Sequence, residues 1–205
     1  MDRLDRMLAV AGPVLRRVDA ALEASGAPPG HAVWAQLRRV RLLPGDAVDA
    51  VAALREAPLL DAALRLRAEA RGYASLAEAL PEPGLWTGTA ADSYDRTRRR
   101  TAEHLSGTPE SLDERLAASA DLADALAGWM TAAREAVAAA LADILTSLEV
   151  AHLTGSDPGG EPTGDAGAAA DVAAHVLRAV GDAYDGAREV MDETAGLGSA
   201  LIATR

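Results

Sequence analysis

Residues 59–80 carry the most regular apolar repeat in the chain. Its apolar members are separated by alternating steps of four and three residues: Leu59, Ala63, Leu66, Ala70, Tyr73, Ala77 and Leu80. This spacing places all of them on one stripe of an α-helix, whereas a half-buried strand would alternate apolar and polar residues. The repeat therefore predicts a helix that packs one face against another helix.

Apolar residues elsewhere follow the same helical period. They predict helices at residues 4–22, 33–43, about 47 to Pro58, 90–105, 108–153 and 168–194. The chain has no Phe and only 3% aromatic residues, so its core must consist of Ala, Leu and Val, which suits closely spaced helices better than a β-sandwich. The predicted fold is all-α: a long antiparallel helical hairpin within a helical bundle, with additional N- and C-terminal helices.

The long repeat ends at an abrupt break around residues 81–88. Pro81 and Pro83 stop the helix, and Gly88 has no Cβ to oppose a sharp reversal. Thr87 or Thr89 can cap the next helix. Trp86 is expected to close this turn by packing across the ends of both helices.

The pattern W-x-G-x-A-A-x-x-Y, formed by Trp86, Gly88, Ala90, Ala91 and Tyr94, resembles that of the WXG superfamily. Members are small helical hairpins that actinobacteria and their relatives export by type VII secretion. The resemblance implies that Trp86 and Gly88 form the hairpin turn and that Tyr94 packs one helical turn inside it. It also implies pairing with a related hairpin in a four-helix bundle. The alternative is an ordinary helical corner filled by a tryptophan.

The resemblance covers only part of the chain. Residues 46–153 form the predicted hairpin core, with Trp86 near its middle. Residues 1–43 form an N-terminal helical extension, residues 154–167 a Gly- and Pro-rich linker, and residues 168–205 a C-terminal helix and tail. A further break at Ser106–Pro109 departs from an uninterrupted hairpin helix, and Thr108 and Pro109 are expected to start the next helix.

The family's export signal is also degenerate here. Many members combine the turn with a Y-x-x-x-[DE] element near the C-terminus. In this chain the fourth residue after Tyr184 is Arg188, and Glu189 comes one position late. A pathway component or partner is therefore as plausible as an exported cargo.

Charge and composition limit the other classes of function. The formal net charge is −11, which disfavours nucleic-acid binding, and the absence of cysteine excludes disulfides and thiol catalysis. No apolar stretch is long enough to cross a membrane, and the segment from Met1 to Arg6 does not resemble a secretory signal. The expected location is therefore either outside the cell by a leaderless route or in the cytoplasm.

No residue pattern supports enzymatic activity, a cofactor or a metal. Glu149 and His152 match half of a di-iron motif that has no second copy, so a degenerate metal-dependent enzyme is the least favoured hypothesis. The spacing of Asp157, Glu161 and Asp165 is not that of an EF-hand loop. The chain also lacks nucleophile-elbow and phosphate-loop motifs.

Function is therefore expected to depend on binding between helices. Ile144 and Leu148 belong to a predicted apolar strip that another helical hairpin, either a second copy or a related protein, would cover. If the terminal helices fold back over this strip, a monomer becomes possible. Two hypotheses for the function are favoured: a WXG-like secreted or secretion-associated protein, and a cytoplasmic adaptor or chaperone unrelated to secretion.

Overall fold

The computed structural model describes the backbone of residues 2–147 and 162–202, and the side chains of residues 2–147 and 166–193. Its elements are α1 (Arg3–Ser25), α2 (Val33–Val40), α3 (Pro44–Ala52), α4 (Ala57–Glu78), α5 (Thr89–Leu105), α6 (Leu112–Leu145) and α7 (Pro162–Ile202). No strand occurs in these described ranges, so the predicted all-α class is confirmed.

The helices form two compact units that do not follow the predicted boundaries. The first unit combines Met1–Arg55 with Gly128–Arg188, and the second combines Glu56–Ala127 with Glu189–Arg205. Helices α6 and α7 each contribute to both units. The predicted N-terminal extension is thus part of the first unit and packs with residues that had been assigned to the hairpin core.

The first unit has a core made mainly of leucine, valine and alanine drawn from α1, α2, α3, α6 and α7. Its largest fully buried side chains are Leu4, Leu15, Leu141, Leu177, Val18, Val33, Val48, Val51, Val137, Val176 and Val180. Burying each of these stabilises the fold by roughly 1.5–3 kcal/mol before the cost in conformational entropy. The small alanines between them let the helices approach closely.

The second unit has a much smaller core. Its fully or nearly buried centre consists of Ala63, Ala120 and Ala123, with Leu59 and Leu66 packed against it. Helices α4 and α5 contact each other. Every member of the four-three repeat on α4 is buried or half-buried, so the stripe predicted from its spacing faces inward.

Several helix ends differ from the sequence prediction. Helix α3 begins at Pro44 rather than near Ala47, because proline's fixed φ and missing N–H suit the first helical turn. Helix α6 begins at Leu112. In the non-helical segment before it, the Ser111 hydroxyl donates a hydrogen bond to the Thr108 carbonyl at 2.5 Å. The break after α5 is confirmed, but Thr108 does not start the next helix.

The last part of the predicted linker, from Pro162 onward, is helical. Residues 154–161 lie outside the described residues, whereas α7 already begins at Pro162. The last helix therefore extends beyond the predicted range of 168–194 at both ends.

Candidate helix-binding surface

The connection between α4 and α5 depends on two glycines with positive φ. Gly84 has φ +60° and Gly88 has φ +97°, a backbone region that residues with a side chain rarely adopt. Gly88 itself occupies the N-cap position of α5, and no side chain caps this helix. The proposed capping by Thr87 or Thr89 is therefore wrong, because the glycine takes the position that their hydroxyls would need.

Trp86 and Tyr94 meet at this connection. Their ring centroids are 5.9 Å apart with an interplanar angle of 48°, an arrangement typical of paired aromatic side chains. The Tyr94 hydroxyl donates a hydrogen bond to the Pro81 carbonyl at 2.7 Å and so links α5 to the chain that leaves α4. Trp86 remains 53% exposed and Leu85 is fully exposed. The tryptophan thus lies over Tyr94 at the surface instead of filling the turn.

An exposed apolar ridge runs along the outer side of α4. It consists of residues at successive four-residue intervals, here named the α4 ridge: Leu60, Leu64, Ala68, Gly72 and Leu76. Leu64 is 66% exposed. Side chains at four-residue intervals form the ridges through which helices most often pack. The missing side chain at Gly72 and the small one at Ala68 leave room for close approach of another helix.

Charged residues border the α4 ridge. Asp61, Arg65 and Glu69 lie three residues before successive ridge members and are exposed. Residues three apart are neighbours on a helix surface, so these side chains form a polar margin beside the apolar row. An apolar centre with a polar margin is typical of protein interfaces.

The inner side of α4 is held to α6 by one arginine as well as by the alanine core. The Arg67 guanidinium lies 2.6 Å from an Asp121 oxygen and 2.7 Å from an Asp124 oxygen. The hydrogen bonds that Arg67 donates to Asp124 and Asp121 raise the pKa of Arg67. Because these groups are solvent-accessible, their main effect is to orient α4 and not to stabilise it strongly.

Two other predicted partner-binding residues have a different outcome. Ile144 is buried in the first-unit core together with Leu141, which corrects the expectation that a partner covers this strip. The physical reason is that α1, α3 and α7 supply apolar side chains to the same core. Leu148 lies outside the described residues.

The residues of the degenerate export element lie on α7. Tyr184 packs its ring against Trp129, with centroids 6.1 Å apart. The Trp129 indole N–H donates to the Ala183 carbonyl at 2.6 Å, so this aromatic pair fastens α7 to α6 within the first unit. Glu189 is exposed.

Sequence reasoning did not single out Arg134, the most buried charged side chain described. Its guanidinium donates to Asp2 at 2.6 Å, to Asp5 at 3.0 Å and to the Ala52 carbonyl at 2.5 Å. The hydrogen bond from Arg134 is the largest cause that lowers the pKa of Asp2 to about 2. In the sequence, Arg134 lies between apolar positions of α6, and an exposed arginine would show the same pattern.

The histidine–carboxylate pairs connect α7 to the loop before α2 and to α6, and they do not form a cluster. His31 Nε2 lies 3.0 Å from Asp171, and His175 Nε2 lies 3.9 Å from Asp143. Among the described residues, no group of three or more His, Asp or Glu side chains is placed to hold a metal ion. Glu149, His152, Asp157 and Glu161 lie outside the described residues, as does the side chain of Asp165.

Within the described ranges, each helix is too short or too polar to cross a membrane. The turn and the α4 ridge most resemble a binding surface, because they expose large apolar side chains such as Leu64, Leu85 and Trp86. Comparisons with protein-family models, with curated proteins and with solved structures found no match to this chain.

Proposed function

We propose that this chain is a non-enzymatic, WXG-like helical protein that binds another helical hairpin through the outer side of its α4–α5 hairpin. The observation that carries this proposal is the α4 ridge, with Leu85 and Trp86 exposed at the adjoining turn. The partner is a second copy or a related hairpin, and the protein is a substrate of type VII secretion or works with its machinery.

Energetics support pairing at this surface. Completely burying a fully exposed leucine contributes roughly 1.5–3 kcal/mol. The three ridge leucines are 44–66% exposed, so burying them supplies about half of that each and offsets part of the cost of association. The inner side of α4 is already used by the alanine core and by Arg67. A partner helix would therefore meet the outer side without displacing internal contacts.

A leucine-to-glutamate pair of variants tests the surface. Leu64→Glu places a charge in the middle of the α4 ridge and is expected to weaken association by about 2–4 kcal/mol, in the range of an interface hot spot. Leu42→Glu is the matched control, because Leu42 is an exposed leucine in the first unit. Light scattering should be measured for the chain alone and co-expressed with any WXG-like protein encoded beside it.

A monomer in both preparations, or equal association of the two variants, would overturn the binding proposal. Secretion needs its own measurement: the wild-type chain should accumulate in culture medium only when the type VII ATPase is present. Retained pairing without such export would favour the alternative function, a cytoplasmic helical adaptor or chaperone.

A further inference from the structure

A second apolar surface in the second unit is unrelated to the α4 ridge. It is a groove of about 1070 Å³ formed by the turn at residues 107–109, the first half of α6 and the part of α7 around Val190. None of its lining residues belongs to α4 or to the turn that contains Trp86. Binding here would therefore be independent of the proposed pairing surface.

Leucines of α6 form the floor of the groove. Leu112, Leu116 and Leu122 line it and are only half-buried, and Val190 of α7 adds a further apolar contact. The second half of α6 behaves differently, since its Leu141 and Ile144 are buried in the first-unit core. The apolar stripe of α6 is thus covered by the chain at one end and left partly uncovered at the other.

The rim of the groove is acidic. Glu114, Asp121 and Glu193 line it, against a single basic side chain, Arg115. Asp121 is engaged by Arg67 in an ion pair, which leaves Glu114 and Glu193 as the carboxylates best placed to meet a ligand. The chain as a whole carries a net charge of −11 and adds to the negative field.

We infer that this groove binds an amphipathic helix that inserts leucine-like side chains between α6 and α7 and carries Lys or Arg along its flanks. Helices dock into grooves of this kind through anchors at i, i+3, i+4 and i+7, and flanking cations complement an acidic rim. A fatty acid would bring its carboxylate against Glu114 and Glu193. An open groove also leaves too much of a small apolar ligand in water.

A second copy of this chain is a poor occupant. Its densest run of arginines is on α5, which carries Arg96, Arg98, Arg99 and Arg100. Helix α2 is also basic, but it packs Val33, Leu37 and Val40 against the first-unit core. The buried residues of α5, Ala91 and Leu105, already face inward, and its sequence offers no second apolar face. The partner is therefore a basic amphipathic helix of another protein.

The test uses the full chain and a labelled synthetic peptide of leucine and lysine, with leucines at i, i+3, i+4 and i+7. Fluorescence anisotropy should show binding at least about tenfold tighter than that of the same peptide with glutamate in place of lysine. Raising the salt concentration from about 0.05 to 0.3 M should weaken the binding, because rim charges are screened.

Two charge-reversal variants separate the groove from general attraction. Glu114→Arg with Glu193→Arg should reverse the preference toward the glutamate peptide. Glu103→Arg with Asp192→Arg changes the net charge equally at exposed carboxylates outside the groove and should keep the preference for lysine. Leu116→Lys, checked for helicity by circular dichroism, should lower the affinity for the lysine peptide by about tenfold or more.

Other outcomes would overturn the inference. Equal losses in the two charge-reversal variants would show attraction to net charge only. Dodecanoate that binds the wild-type chain and displaces the peptide would identify a lipid site. A dimer that dissociates in the Glu114→Arg/Glu193→Arg variant, with no peptide binding to the wild type, would assign the groove to a second copy. Absence of pairing at the α4 ridge in the light-scattering experiment would not change the outcome expected for peptide binding in the groove.

Discussion

At the scale of single residues, Arg134 shows how one buried charge can organise a largely apolar unit. Its side chain is 8% exposed and connects α6 to the N-terminal turn of α1 and to the C-terminal end of α3. Asp2 also accepts the backbone N–H of Asp5, forming a capping box at the start of α1. A buried guanidinium is tolerated only when its donors are satisfied, and here carboxylates and backbone carbonyls satisfy them.

This arrangement predicts a specific loss of stability in acid. The folded state lowers the pKa of Asp2 from 3.8 to about 2, so the stabilisation by its charge is complete above the unfolded value and is lost as the pH falls through the folded value. Asp2→Asn retains an oxygen that can cap α1 but removes the charge. Wild type should therefore melt at a higher temperature than Asp2→Asn at neutral pH, and this difference should shrink between roughly pH 4 and pH 2.

Thermal melts followed by circular dichroism over that pH range provide the measurement. Asp61→Asn, on the exposed side of α4, serves as the control for loss of an acidic group. A wild-type advantage that stays constant down to pH 2 would contradict the role given to the Asp2 charge.

At the scale of elements, the sequence predicts which segments are helical better than it predicts where each helix ends or which of its outer residues are apolar and exposed. The four-three repeat located the inner side of α4 because burial selects apolar residues at that period. The four-three repeat does not predict the α4 ridge, because residues at uniform four-residue steps move around the helix away from the core. The proline and glycine residues predict a turn near Trp86. The N-cap residue of α5, Gly88, depends instead on a backbone angle that residue spacing does not specify.

Two glycine-to-alanine changes should have opposite effects. Gly88→Ala places a Cβ on backbone with φ +97° and ψ 179° and should destabilise the protein by about 1–3 kcal/mol. Gly128→Ala, inside α6 with no other group within 4 Å of the new Cβ, should stabilise it by about 0.5–1 kcal/mol. Chemical denaturation measures both, and destabilisation of equal size in the two variants would contradict the backbone explanation.

At the scale of the whole molecule, the chain builds two units from segments far apart in sequence. Residues up to and including Arg55 join residues 128–188, and the intervening part forms the second unit with the end of α7. Sequence periodicity identifies which side of each helix is apolar but does not specify which distant helix will cover it. For this reason periodicity alone leaves open whether a partner or the terminal helices cover Ile144, and in the structure the first unit covers it.

The unequal cores predict unequal local stability. The first unit buries many leucines and valines, whereas the buried apolar residues of the second are alanines and Leu105. Local opening requires the least free energy where buried apolar contacts are few. Backbone amides of α4 and α5 should therefore exchange with deuterium faster than those in the middle of α1, by about tenfold for each 1.4 kcal/mol of difference in opening free energy.

Hydrogen exchange followed by mass spectrometry can test this difference on the intact chain. A helix partner bound to the α4 ridge should slow exchange in α4 and α5 and leave α1 unchanged, because its contacts add to the smaller core alone. The Leu64→Glu chain should lose this protection, while the Leu42→Glu chain should retain it. Equal protection of both units in the unbound wild type would mean that the alanine core of the second unit is sufficient by itself, and that the exposed leucines of α4 are not needed to complete it.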